Sequence, residues 1–191
     1  MVITLVVIVV ALLVAAAVIG FVLERRRRDV LQRRFGPEYD RTVGEAGNRR
    51  RGERELAQRQ KRHEQLDIRP LDTERAKEYA AEWEAAQTRF VDDPHGAVRD
   101  ADTVIEALMA ERGYPVGDFD TQVADLSVEH AEVLQHYRAA HEIATAAGAG
   151  DADTEALRRA MVHYRALFTS LLEDRQEHTE EDGSVTSRRT R

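Results

Sequence analysis

Apolar residues are distributed along this chain in two different ways. From Val2 to Leu23 they are continuous: 22 residues carry no charge, and only Thr4 and Gly20 interrupt the apolar character. Beyond Leu23 they recur every third or fourth position, the spacing of one helix face. At 1.5 Å rise per residue the first run makes roughly 33 Å of helix, enough for a hydrocarbon core of about 30 Å. A helix also satisfies its own backbone hydrogen bonds, as lipid demands. The pattern therefore predicts a single transmembrane helix over residues 2–23. Arg25, Arg26, Arg27 and Arg28 follow at once, with Arg33 and Arg34 beyond. Positive charge stays on the cytoplasmic side, so the expected placement is the cell membrane, N-terminus outside and body in the cytoplasm. A cleaved secretory signal, with Ala15-Ala16-Ala17 as its cleavage site, is the rival. Such a signal carries its charge before a core of about 7–15 apolar residues, and here the charge follows a longer one.

The periodic remainder predicts an all-α body. The anchor helix runs on through Asp29 to Gln32 and stops at Gly36-Pro37, with Pro37 opening a short second helix. Residues 48–66 read as a strongly charged helix capped by Asn48, whose only large apolar residues are Leu56 and Leu66. Such a helix predicts a solvated neck, or one half of a weak coiled-coil self-association. Its opening arginines, Arg49 to Arg51, oppose the helix dipole. Asp67 to Leu71, with Pro70 inside it, is a break and the expected domain boundary. A helix over 73–91 then carries Ala76, Tyr79, Trp83, Ala86 and Phe90 on one face. Asp93 and Pro94 have the chemistry of an N-cap and a first helical residue, and Gly113 closes the helix that they open. Residues 115–125 form a loop or one short turn with Phe119, Val123 and Leu126 inward. Ser127 is expected to cap a helix to about Ala146. Asp153 or Thr154 caps the last helix, to about Arg175, with Leu157, Met161, Tyr164, Phe168 and Leu171 inward. The polar stretch after it lacks an apolar stripe and is expected to be disordered. The organisation is thus a transmembrane helix at 2–23, a basic juxtamembrane neck at 24–69, a soluble bundle of about four helices at 70–175, and a tail at 176–191.

Charge sharpens this division. Residues 24–69 hold 15 basic side chains against 9 acidic, net +6, whereas residues 70–175 hold 10 against 22, net −12. Anionic lipid attracts juxtamembrane arginines by about 1 kcal/mol each and repels the body. Arg25 to Arg28 are accordingly the expected lipid-facing cluster. The 26 arginines against two lysines admit a phosphate-recognition reading; coding bias in a GC-rich genome accounts for them more simply. Nucleic acid is not an expected partner, since the basic stretch has no interleaved aromatics and an acidic body follows. The lack of cysteine fits a cytoplasmic body and excludes thiolate catalysis.

Chemistry beyond charge is sparse. The seven histidines include no pair at the i, i+4 spacing of a metal helix, and no phosphate loop or nucleophile elbow occurs. Asp118, Asp120 and Asp125 lack the alternation, mid-loop glycine and closing glutamate of a calcium loop. Asp92, Asp93 and His95 read as helix-start chemistry. No catalytic residue, cofactor or metal is expected. One local echo stands out: His136-Tyr137-Arg138-Ala139 recurs as His163-Tyr164-Arg165-Ala166. If the last two helices pair, the tyrosines meet in the core, with histidine or arginine as hydroxyl partners, and His136 approaches His163.

The strings Arg34-Phe35-Gly36-Pro37-Glu38-Tyr39-Asp40-Arg41, Phe90-Val91-Asp92-Asp93-Pro94, Arg112-Gly113-Tyr114-Pro115 and Tyr137-Arg138-Ala139-Ala140-His141 resemble those of a group of uncharacterised single-pass membrane proteins from GC-rich bacteria. The resemblance implies one anchor and one helical body, and brings no activity with it. The expected function is a membrane-tethered cytoplasmic interaction or scaffold module, which docks a protein partner or another copy of itself. The alternative is a small-ligand or enzymatic domain with a site between the last two helices near Tyr137, His141 and Tyr164, with Asp92 and Asp93 as further candidates.

Overall fold

The computed structural model describes the backbone of residues 2–186 and the side chains of residues 14–173. Among the described residues every regular element is a helix: α1 (Val2–Phe35), α2 (Pro37–Ala46), α3 (Arg49–His63), α4 (Thr73–Arg89), α5 (Pro94–Glu111), α6 (Phe119–Leu126), a 3-10 turn at Ala131–Val133, α7 (Leu134–Gly148) and α8 (Thr154–Thr186). The chain divides into two compact units, Met1–Gln58 and Arg59–Arg191.

In the first unit, α1 continues past the apolar run and ends at Gly36, whose φ of 43° is open to glycine. Residues 2–13 of the expected span lie outside those with described side chains. Among the described residues no helix is long and apolar enough to cross a membrane, so the transmembrane assignment rests on the sequence alone. Pro37 opens α2, a left-handed Gly47 closes it, and the Asn48 side chain accepts from the Arg50 N–H at 2.9 Å. Helix α3 is less solvated than expected. Gly52, Glu53, Leu56 and His63 are buried. A Cβ at Gly52 would come within 2.8 Å of the Val43 Cα, so the backbones of α2 and α3 meet directly. The buried Tyr39 hydroxyl donates to Glu53 Oε1 at 2.8 Å. Contact through a glycine and through a tyrosine–glutamate bond leaves no apolar stripe, which is why periodicity read this helix as a solvated neck.

The second unit is a bundle in which α8 packs most extensively on α7 and also on α5, and α5 on α4. Its core contains Trp83, stacked on Phe168 at 4.7 Å between ring centroids, together with Ile105, Leu108, Leu134, Leu157, Leu167 and Leu171. Each such side chain contributes about 1.5–3 kcal/mol on burial. The expected boundary at Asp67–Leu71 is instead docked. Arg69 N–H donates to the Arg112 carbonyl at 2.9 Å, and Arg112 Nη1 donates to the Leu171 carbonyl at 2.8 Å. Upstream, Arg62 Nε donates to the fully buried Asp125 at 2.6 Å. The end of α3 and the break after it therefore belong to the second unit.

Two further expectations change. Ser127 ends α6, its hydroxyl donating to the Ala124 carbonyl at 2.6 Å, and α7 begins only at Leu134 after the 3-10 turn. A serine hydroxyl can serve either end of a helix, and the sequence does not say which. Helix α8 extends to Thr186 and so covers much of the stretch expected as a tail. Residues 187–191, and the side chains after Glu173, lie outside the described residues.

Gly113 has φ 93°, and a Cβ there would overlap the Asp67 carbonyl oxygen. Gly113→Ala is expected to lower the unfolding free energy by about 2 kcal/mol or more through strain and lost docking. Gly117→Ala, where nothing lies within 4 Å, should leave it within about 0.5 kcal/mol. Urea unfolding followed by circular dichroism checks both.

Candidate functional site

The residues of the expected interhelical site fall in separate places. Tyr137 and Tyr164 do meet in the core, ring centroids 6.4 Å apart. Their hydroxyl partners are not histidine or arginine: Tyr137 donates to Gln122 Oε1 at 2.7 Å and Tyr164 to Asp102 Oδ1 at 2.8 Å. Burial, followed by the Asp102 carboxylate, pushes both phenols well above their ordinary value. Both stay protonated as donors, which suits structural tyrosines rather than nucleophiles or bases. His141 lies flat on Phe119, centroids 3.8 Å apart. Asp93 caps α5, accepting from the Gly96 N–H at 2.8 Å and from Arg89. The Gly96 bond, then Arg89, holds its carboxyl below the usual range. Asp92 is exposed beside it. A cleft of about 170 Å³ lies between α5 and α7, lined by His95, Arg99, Asp102, His141 and Thr145 among others. That is smaller than the roughly 300–1,000 Å³ of ordinary ligand pockets.

The histidine approach expected from the echo is present. His136 and His163 place their Nδ1 atoms 3.0 Å apart across α7 and α8, so one ring donates and the other accepts. Burial, with His136 and Arg159 adding, holds the His163 imidazole below its ordinary value. Asp118 caps α6 and Asp125 pairs with Arg62, so the aspartates of the calcium reading do not converge. Among the described residues no three metal-ligating side chains come together.

A partly buried polar relay has no counterpart in the sequence reading. Tyr114 donates to Glu129 Oε2 at 2.7 Å and lies 3.2 Å from His130 Nε2, while His130 Nδ1 lies 2.8 Å from Ser170 Oγ. With the Tyr114 hydroxyl proton directed at Glu129, His130 Nε2 donates to the Tyr114 oxygen and Nδ1 accepts from Ser170. His63 Nε2 stands beside the relay, 3.5 Å from Glu129 Oε1, an ion-pair distance rather than a hydrogen bond. This imidazole, with Tyr114 adding, holds the Glu129 carboxyl down to about 2, against a burial effect that opposes it. The five residues come from four separated places in the chain with no common period, so no local pattern could reveal them.

In the first unit the structure gathers more cation than the expected cluster. Arg27 of α1 joins Arg50 and Arg54 of α3 in a groove of about 600 Å³ with Leu23, Glu24 and Glu53. A second groove, about 270 Å³, is lined by Arg25, Arg28 and Arg49 with Phe21, Glu24 and Glu53. Arg26 is exposed and lines neither. The nearest counter-charges are loose: Arg50 Nε is 3.7 Å from Glu24 and Arg49 Nε is 3.8 Å from Glu53. The chain matches no protein-family model, no curated protein and no solved structure.

Glu129 titrates lower in the folded chain, about 2 against an ordinary 4.5. Its contribution to stability is therefore complete above pH 4.5 and is lost as pH falls toward 2. Glu129→Gln is expected to flatten that acid limb. It should cost under about 1 kcal/mol at neutral pH, since the carboxylate is one-third exposed. Urea midpoints measured from pH 2 to 6 test it, and an unchanged limb would count against the relay.

Proposed function

We propose that this chain is a membrane-tethered helical interaction module, with its N-terminus outside and its bundle in the cytoplasm. The observation that carries the reading is the uncharged run Val2–Leu23 with Arg25 to Arg28 immediately behind it. Both lie on one uninterrupted helix, α1. Twenty-two apolar residues have the length of a membrane crossing, and the arginines favour the inner leaflet side. The resemblance to single-pass membrane proteins points the same way.

Two features support a binding rather than a catalytic role for the bundle. The interior polar groups are turned toward one another: Tyr137 to Gln122, Tyr164 to Asp102, Tyr114 to Glu129. The net charge of residues 70–175, −12, favours a partner with a basic face, chiefly by raising the association rate. A second copy of the chain is the alternative partner, through its basic first unit.

The tether is tested by alkaline carbonate extraction of membranes and by a reporter fused after Arg191. The chain should stay in the pellet and the reporter should be active only inside the cell. Release by carbonate, or a reporter exposed outside, overturns the reading. Proximity labelling from the same fusion should recover a reproducible neighbour or cross-linked copies, and labelling that recovers neither removes the interaction role.

A further inference from the structure

The arginine grooves of the first unit carry an inference that rests on the membrane-tether reading and deepens it. Six arginines, three from α1 and three from α3, face two grooves that hold only Glu24 and Glu53 as counter-charge. Neither carboxylate is in close contact with its groove arginine: 3.7 and 3.8 Å compare with roughly 2.7–2.9 Å for a charge-assisted hydrogen bond. The Arg49 and Arg50 side chains are 53% and 78% exposed. Concentrated like charge of this kind is unfavourable unless an anion enters.

The grooves also have direction. Each combines guanidinium groups with one exposed apolar residue of the expected span, Leu23 in the larger and Phe21 in the smaller. An anionic site open to free solutes does not need that edge. A phospholipid does, because its phosphate and its first methylenes are adjacent. Planar guanidinium groups suit phosphate oxygens, which they meet in pairs of hydrogen bonds.

We propose that these two grooves are seats for the phosphate headgroups of anionic phospholipids, with Arg49, Arg50 and Arg54 of α3 completing sites that Arg25, Arg27 and Arg28 begin. The α3 arginines lie over twenty residues from the membrane run in sequence, and the fold of the first unit returns them beside α1. The lipid is held at a defined place rather than by a diffuse positive surface.

The test uses the full chain, purified from mixed phosphatidylglycerol and phosphatidylcholine membranes in mild detergent, with retained lipid counted by native mass spectrometry. The wild-type chain should retain phosphatidylglycerol over phosphatidylcholine. Substituting Arg49→Gln, Arg50→Gln and Arg54→Gln together should lower that preference on the order of a hundredfold, at about 1 kcal/mol per arginine. Substituting Arg33→Gln, Arg34→Gln and Arg51→Gln, all exposed and outside both grooves, removes the same charge and should leave most of the preference. Circular dichroism of both variants checks that each is folded. Equal loss in the two variants, or no loss in the first, overturns the proposal. Inorganic phosphate at millimolar concentration that strips the lipid from the wild-type chain would make the occupant a soluble anion and overturn it as well. Carbonate extraction separates this from the tether: a chain that leaves the membrane fails the tether, and one that stays without selective retention fails the grooves.

Discussion

Burial of one face of α8 holds the second unit together. Leu157, Tyr164, Leu167 and Leu171 are almost wholly removed from solvent, and that face is shared between α5 and α7. Tyr164 brings a hydroxyl into this interior, and Asp102 of α5 receives it at 2.8 Å. A buried hydroxyl without a partner would cost about 1–3 kcal/mol, so the bond fixes how α5 and α8 meet as firmly as the leucines do. Trp83 reaches the same helix through Phe168, which brings α4 into the one core. Everything else in the unit, including the docked break at Asp67–Leu71, is arranged around helices that this face has already positioned.

What was legible in the sequence was whatever follows from one residue and its near neighbours. Gly36-Pro37 ends α1 and starts α2, Asp93-Pro94 starts α5, and Asn48 and Asp153 cap their helices through N–H groups two and three residues on. Trp83 and the leucines of α8 lie on the faces that their spacing marked. These features are local, and local chemistry is what propensity and capping describe. The meeting of Tyr137 with Tyr164 was legible for a different reason, since the four-residue echo marks equivalent places on two helices joined by a short turn.

What was not legible depends on contacts between distant segments. The hydroxyl partners of the two tyrosines, Gln122 and Asp102, belong to α6 and α5 and share no pattern with them. Ser127 has the same local credentials for ending a helix as for starting one. The relay from Tyr114 to Ser170, with His63 beside it, joins α3, the corner after α5, the turn before α7 and α8. The grooves combine two arginine runs that the sequence presents as unrelated, one read for lipid and the other as an unfavourable helix start. The compact unit ends at Gln58 rather than at the proline break, because the break is bonded to the end of α5.

Gly52 carries no charge, no hydrogen-bonding side chain and no apolar area, yet it sets where three guanidinium groups stand. The Val43 backbone leaves it no room for even a methyl group, so any larger residue must lever the front of α3 away from α2. If the grooves seat lipid as proposed, a screen for lost selectivity would score this position beside the arginines themselves. Its phenotype would then resemble that of a ligand contact, although what it supplies is an empty volume.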